Sequence, residues 1–269
     1  MLEGSRCLVG EVAKVSEDPD STVIAVRMPG LDLRVAARTH TGRVRRHNED
    51  ALLVDLDLKL MAVADGMGGH DRGEIASRAV LTALVDFLRR HAAGFSEEVV
   101  SEALRQANQA VYEHNRRRGY REGTGMGSTV AGLWFGPGRA IRFHVGDSRI
   151  YRYRRGRLEQ LGRDHSLYQA WLEAGGEGIA PATNILTRSL GCFMEVEPEV
   201  ATLDCRLGDR FLLCSDGLTR YWTDPRLEAF FASGGSDLSS QVDALVETAN
   251  ERDGGDNITA ILISVGEPP

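Results

Sequence analysis

The chain opens its regular patterning as sheet. Ala51-Leu52-Leu53-Val54 and Leu60-Met61-Ala62-Val63-Ala64 are apolar runs too short for helices, and each predicts a buried strand. Leu33-Arg34-Val35 predicts an earlier strand before a polar loop. The period then changes. Ile75, Ala79, Val80, Ala83, Leu84, Phe87 and Leu88 recur at helical spacing, as do Val99, Val100, Ala103, Leu104, Ala107 and Val111, so two amphipathic helices follow. Thr129 to Phe135, Ala140 to Val145 and Ile150 to Arg154 are divided by GPGR and GDSR and followed by RGR, which predicts an antiparallel meander. A helix from Ser166 to Ala174, capped by the DHS run, leads into a loop or flap over Gly175 to Thr183. Strand Phe211 to Cys214, helices across 225–232 and 237–250, and strand Ile258 to Ile263 complete the pattern. Strands and helices in separate blocks, with no internal repeat and no linker, predict a single α+β domain over 31–266. Ahead of it, Cys7 to Val15 and Thr22 to Met28 are β-branched runs around SEDPD, so residues 1–30 read as an extension forming a β-hairpin.

Composition narrows the function classes. A chain of 269 residues, 42 % hydrophobic, has ample material for a core. Its net charge of −7 speaks against nucleic-acid binding, which needs a clustered basic surface. Arg116-Arg117-Arg118 closes a helical segment, where cations favour the negative dipole end, so it reads as a solvated terminus. Cys7, Cys192, Cys205 and Cys214 form no CxxC pair and read as reduced structural thiols. No apolar stretch reaches membrane-spanning length, and MLEGSRCLVGEVAK lacks the order of a secretion signal, so the expectation is a cytoplasmic protein.

The candidate chemistry lies in aspartates that recur where apolar runs end: Asp65 in MAVADGMGGH, Asp147 in HVGDSR, Asp216 in LLCSDGL and Asp256 in GGDNITA. Glu49 and Asp50 precede a strand in GRVRRHNED. Any one of them is adequately explained as a turn residue, since Asp-Gly is a common turn dipeptide. Gathered at one end of a sheet, however, they would repel one another unless a cation neutralised them. All-oxygen ligation suits Mg²⁺ or Mn²⁺ rather than zinc. Two such ions about 3.5–4 Å apart suit phosphoester hydrolysis.

GRVRRHNED, VADGMGGH, GMGSTV, GDSRIYRYRRG, DHSL, NILTRSLG, LLCSDGLT and GGDNITAILI, in that order from about Val35 to Ser264, resemble the motifs of the metal-dependent protein serine/threonine phosphatases of type 2C, in their bacterial form. The resemblance implies a four-layer α-β-β-α sandwich of two antiparallel sheets flanked by helices. It also implies hydrolysis of phosphoserine and phosphothreonine on proteins by a water or hydroxide bridging two Mn²⁺ or Mg²⁺ ions. Asp65 resembles the bridging carboxylate and the Gly66 carbonyl a ligand of the second ion. Asp216 and Asp256 match ligands of the first. Glu49 and Asp50 match the acidic pair that binds the second ion directly or through its waters, and which of the two does so stays open. Asp147 with Asp216 matches the site of a third, weaker ion of bacterial members. Arg45 falls where the family keeps a guanidinium for the substrate phosphate, a role its planar fork suits. The implied partners are phosphorylated proteins and an opposing eukaryotic-type serine/threonine kinase.

Two departures stand out. Met67 occupies the place where eukaryotic relatives carry a proton-donating histidine, and a thioether cannot serve as an acid; His70 and His47 are nearby in sequence. Gly175 to Asn184 is shorter than the expected flap, which bears on peptide specificity. GTGMGST lacks the lysine of a phosphate loop, and Asp164-His165-Ser166 are sequence neighbours that cannot form a hydrolase triad; Asp164 and Ser166 read instead as a helix cap. The alternatives are a non-catalytic phosphoprotein-binding regulator with the same fold, and a phosphatase of the sporulation-regulator type with one dedicated partner.

Overall fold

A computed structural model describes residues 14–15, 22–28, 31–68, 72–91, 94–234 and 237–266. Among them, two antiparallel sheets lie face to face. The first has the order β1 (Lys14–Val15), β4 (Asp50–Asp55), β5 (Leu60–Met67), β7 (Val130–Gly136), β8 (Arg139–Val145), β11 (Glu199–Asp204), with the short β6 (Gly127–Ser128) beside the end of β5. The second has the order β10 (Arg157–Gln160), β9 (Arg149–Arg154), β12 (Arg210–Cys214), β13 (Ile258–Gly266), β3 (Leu31–His40), β2 (Thr22–Met28).

Three apolar layers hold these sheets and their helices together. Helices α1 (Gly73–Arg90) and α2 (Glu97–Arg117) pack on the first sheet through Val80, Leu84, Leu104 and Val111 against Leu53, Leu60 and Phe143. Val63, Leu133, Phe211, Leu213 and Ile261 fill the space between the sheets. On the outer face of the second sheet, α5 (Asp224–Ala232) and α6 (Leu238–Arg252) bury Leu227, Val242 and Leu245 against Leu212, Ala260 and Leu262. β13 and β12 are apolar on both faces, as strands covered on two sides must be. The four-layer α-β-β-α sandwich is therefore the observed architecture.

Several expectations need correction. The two N-terminal β-branched runs do not pair with each other where they are described: Lys14–Val15 pairs with β4, and Thr22–Met28 pairs along β3 from Thr22↔Ala37 to Met28↔Leu31. The turn signal Pro29-Gly30, between the two runs in sequence, accounts for this choice. Cys7 to Ala13 and SEDPD lie outside the described residues. The meander is also broken. β8 pairs with β7 and β11, whereas β9 pairs with β10 and β12 in the other sheet, so the chain changes layers at Gly146-Asp147-Ser148. Gly146 sits at φ +105°, a left-handed conformation that lets the chain leave the first sheet sharply. In α1 the buried stripe runs through Ala76, Val80, Leu81, Leu84, Val85 and Leu88, while Ile75 faces solvent. The helix touches both α2 and the sheet, and this shifts its buried face. β11 and the one-turn α4 (Asp216–Thr219) carry no apolar periodicity, so the sequence pattern does not predict them.

Candidate metal centre

The candidate site lies where β4, β5, β12 and β13 and the 146–148 crossing meet. Asp50 and Asp65 are paired neighbours on β4 and β5. Asp50 is 7 % exposed, and its Oδ2 accepts hydrogen bonds from Ser215 Oγ at 2.8 Å and Thr259 Oγ1 at 2.7 Å. Those two hydroxyls belong to the second sheet, so Asp50 joins the sheets at the site. Ser215 also places Asp216, the next residue, as the first residue of α4. Asp65 is held by its backbone: its N–H donates to Thr129 Oγ1 at 2.9 Å and its carbonyl accepts from the Thr129 N–H at 2.8 Å. Thr129 in turn meets Ser148 Oγ at 2.6 Å, tying Asp65 to the loop that carries Asp147.

Glu49 and Gly66 converge at the start of α1. The Gly73 N–H donates to Glu49 Oε1 at 3.0 Å, and the Gly66 N–H donates to the Glu49 carbonyl at 3.1 Å. A Cβ on Gly66 would stand 2.0 Å from the Gly73 carbonyl oxygen, so only glycine admits this approach. A Cβ on Gly73 would meet Gly66 O and Glu49 Oε1 at 2.5 Å each, so both oxygens close on the start of α1. Asn257 fastens the 41–49 loop to the 254–257 turn: its Oδ1 accepts from the Glu49 N–H, and its Nδ2 donates to the carbonyls of Thr41 and His47. Asp256 precedes it. Arg45, half-exposed, lies with Nη2 at 2.8 Å from Asp256 Oδ2 and Nη1 at 3.8 Å from Glu49 Oε2. Arg220 stands beside it, with Nη1 3.9 Å from Asp256 Oδ2 and Nε bonded to Asp253.

Electrostatics give the grouping its meaning. Burial, reinforced by the charges of Asp216 and Asp256 and opposed by the Thr259 and Ser215 hydroxyls, pushes Asp50 up to about 7. Burial raises Asp65 well above the usual carboxylate range, with Asp50, Asp216, Asp147 and Asp256 all adding repulsion. Asp147 is pushed up to about 7 by burial and then by Asp216 and Asp164. Asp216 is raised by burial and by Asp256, with Arg220, a hydrogen bond to Asp65, and Arg45 pulling the other way. Asp50 Oδ1 and Asp216 Oδ1 are buried without a hydrogen-bond partner among the described residues. Bare carboxylate oxygens that repel one another in a buried, all-oxygen donor set fit hard divalent cations.

All seven residues expected as ligands thus lie on the elements that meet here, with Arg45 at the rim. The supporting hydroxyls and amide, Thr129, Ser215, Asn257 and Thr259, carry no signal of their own in the sequence, although each adjoins or nearly adjoins a motif aspartate or glycine. Met67 ends β5 opposite Gly127. His70 lies outside the described residues, and the His47 carbonyl serves Asn257. Ser166 does cap α3 (Leu167–Glu173), accepting from the Gln169 N–H. Asp164 does not share in the cap: both its oxygens bind the Arg149 guanidinium, which also donates to Tyr151 Oη.

Comparison with known proteins follows the same lines. The profile of the family Protein phosphatase 2C matches residues 39–262. The serine/threonine protein phosphatase PstP of Mycobacterium tuberculosis is 34 % identical over 241 residues, covering 87 % of this chain but 45 % of that protein. The chain thus spans less than half of that relative. The serine/threonine phosphatase Stp of Listeria welshimeri is 34 % identical over 236 residues, covering 84 % of this chain and 93 % of Stp. The crystal structure of the PstP catalytic domain in complex with two manganese ions superposes with a TM-score of 0.78 at 34 % identity, over 88 % of this chain and all of that one.

Proposed function

The chain belongs to the protein phosphatase 2C family, and from that premise we propose that it hydrolyses phosphoserine and phosphothreonine on proteins, using Mn²⁺ or Mg²⁺. The observation that carries this reading is the convergence of Asp50, Asp65, Asp147, Asp216 and Asp256 into one mutually repelling, largely buried group with the Arg45 guanidinium at its open side.

Asp65, Asp216 and Asp256 would hold one ion; Asp65, the Gly66 carbonyl and Glu49 a second; Asp147 with Asp216 a third, weaker one. Glu49 Oε1 and the Gly66 carbonyl oxygen both face the start of α1, whereas Asp50 Oδ2 is taken up by two hydroxyls, which favours Glu49 over Asp50 as the direct member of the acidic pair. Asp50, with one oxygen committed to two hydroxyls, would serve the ions through its remaining oxygen and its charge. When bound, the ions supply polarisation of the phosphoryl oxygens and acidification of water. Arg45 binds and orients the phosphate: its fork already faces Asp256, and a phosphate dianion offers it oxygens of higher charge. Met67 contributes no proton, so the protein leaves that role to groups other than the residue after Asp65-Gly66.

We assign 31–266 as the catalytic unit, with β2 added as an edge strand by the preceding residues. The opposing enzyme is a eukaryotic-type serine/threonine kinase, and the setting is the cytoplasm. Among the described residues no helix is long and apolar enough to cross a membrane. A non-catalytic regulator is disfavoured, because every ligand position keeps its oxygen donor.

The test is hydrolysis of p-nitrophenyl phosphate and of a phosphothreonine peptide by the purified chain with and without Mn²⁺ or Mg²⁺. Activity is expected to depend on added ion and to stop with chelator. Full turnover in excess chelator, with no metal by elemental analysis, would sink the reading.

A further inference from the structure

Away from the carboxylate centre, three side chains from three segments converge. Glu199 on β11 is paired in register with His144 on β8. The His165 ring stacks on that of His144, with centroids 4.3 Å apart and planes 19° from parallel. Among the described residues, these form the one trio of histidine, cysteine or acidic side chains whose ligand atoms all lie within 4.8 Å of one another. Glu199 Oε2 stands 3.8 Å from His144 Nδ1 and 3.9 Å from His165 Nε2.

The protons can be placed. His144, 3 % exposed, has Nε2 at 2.8 Å from the carbonyl oxygen of Arg163. A carbonyl only accepts, so Nε2 carries the hydrogen, and in the neutral ring Nδ1 presents a bare lone pair. That nitrogen is buried and has no hydrogen-bond partner among the described residues. A ring anchored through one nitrogen to a backbone carbonyl, with the other bare and facing a carboxylate, is the arrangement of a metal-ligating histidine. Burial is the main cause that lowers His144 and brings His165 down to about 4, so both are neutral near pH 7 and able to ligate.

The surrounding charges leave room. Arg142 Nη1 lies 2.7 Å from Glu199 Oε1, which occupies that oxygen and leaves Oε2 for the rings. Arg188 Nη1 touches His165 Nε2 at 3.4 Å from a side chain 42 % exposed, long enough to swing outward. Asp164 also faces both rings and adds negative potential. His165 Nδ1 accepts from the Gly146 N–H at 3.2 Å, so in the neutral ring Nε2 carries the hydrogen, and ligation through Nε2 breaks the Gly146 bond because a proton on Nδ1 would face a second donor. His165 is therefore the weakest of the three ligands.

We propose that His144, His165 and Glu199 bind one transition-metal ion of the zinc class, separate from the hard-ion carboxylate centre. Two imidazoles and a carboxylate suit Zn²⁺ or Co²⁺ and leave a further position for water, whereas Mg²⁺ and Mn²⁺ prefer oxygen. The ion joins β8, β11 and the 163–166 segment close behind the Asp147 loop.

Titration of the full chain with Co²⁺ in saturating Mg²⁺ tests this, because four-coordinate Co²⁺ with nitrogen ligands absorbs visible light far more strongly than octahedral Co²⁺ in oxygen. The wild type is expected to develop one saturable equivalent of the intense band, displaced by Zn²⁺ and retained in Asp65→Asn. His144→Gln and Glu199→Gln are expected to weaken binding by more than ~100-fold, and His165→Gln by about tenfold, the former beyond what changes outside a ligand set cause. Circular dichroism checks folding, and Glu199→Gln, near-isosteric and part-exposed, decides the matter should His144→Gln unfold. A wild type without the band, or a band that survives Glu199→Gln at unchanged affinity, overturns the site.

Discussion

Asp65, half-buried, faces four other aspartates, and its carboxylate is tolerated as an anion only beside compensating charge. Asp65→Asn and Asp256→Asn are therefore expected to lower metal affinity and cut turnover by orders of magnitude, while the metal-free fold keeps or gains stability because a repelling charge is gone. Steady-state kinetics at saturating Mn²⁺, beside melting in chelator, checks both halves; near-wild-type turnover of Asp65→Asn refutes its bridging role. Arg45 separates phosphate binding from metal binding. Arg45→Ala should raise KM and lower kcat/KM by roughly 10- to 200-fold, the equivalent of about 1.5–3 kcal/mol for a charged hydrogen bond, with Arg45→Lys recovering only part. Because Arg45 Nη2 sits 2.8 Å from Asp256 Oδ2, its removal should leave metal affinity unchanged or slightly higher by calorimetry. Loss of metal together with activity would move this arginine out of the phosphate role. At this scale the charged residues were legible from sequence, since a carboxylate at the end of an apolar run is conspicuous. The hydroxyls of Thr129, Ser215 and Thr259 were not, because a threonine becomes the anchor of Asp65 only when β5 meets the strand beside it, and a serine or threonine becomes a partner of Asp50 only when the second sheet packs on the first.

The elements are fastened to the site by few bonds. Asn257, 4 % exposed at the head of β13, serves one N–H and two carbonyls of the 41–49 loop. Asn257→Ala should cost about 2–4 kcal/mol, since it strands buried backbone groups, and should weaken metal binding through the displaced Glu49. Denaturant unfolding and metal titration of the variant measure the two effects; a loss below ~0.5 kcal/mol would show that the loop is held by other contacts. The strands β4, β5, β12 and β13 and the helices were recognisable from period alone. The layer change after β8 was not, because GDSR has the local composition of a hairpin turn. Only the availability of β12 as a partner for β9 sends the chain across.

For the molecule as a whole, the buried carboxylates set a pH dependence. Burial pushes Asp50 and Asp147 up to about 7 in the fold, against an ordinary carboxylate value of 3.8. Between those values the folded chain holds more protons than the unfolded one, so the stability of the metal-free protein falls as pH rises from about 4 to about 7 and the penalty is complete above it. Divalent ions bind the deprotonated carboxylates, so the gain in Tm on adding Mn²⁺ should grow across the same window. Melting in chelator and in Mn²⁺ from pH 5 to pH 8 checks this; a metal-free Tm that climbs steadily with pH contradicts it. Sequence by itself determined the α+β class, the positions of the main strands and helices, and the residues able to ligate, because periodicity and donor chemistry are local properties. Which strands became neighbours, which helix faces were buried, and which oxygens of Glu49, Gly66 and Asp50 came together were decided only in the tertiary structure. Those outcomes depend on contacts between residues up to about two hundred positions apart, such as Asp50 with Thr259, whose free energies exist only once both sheets are in place.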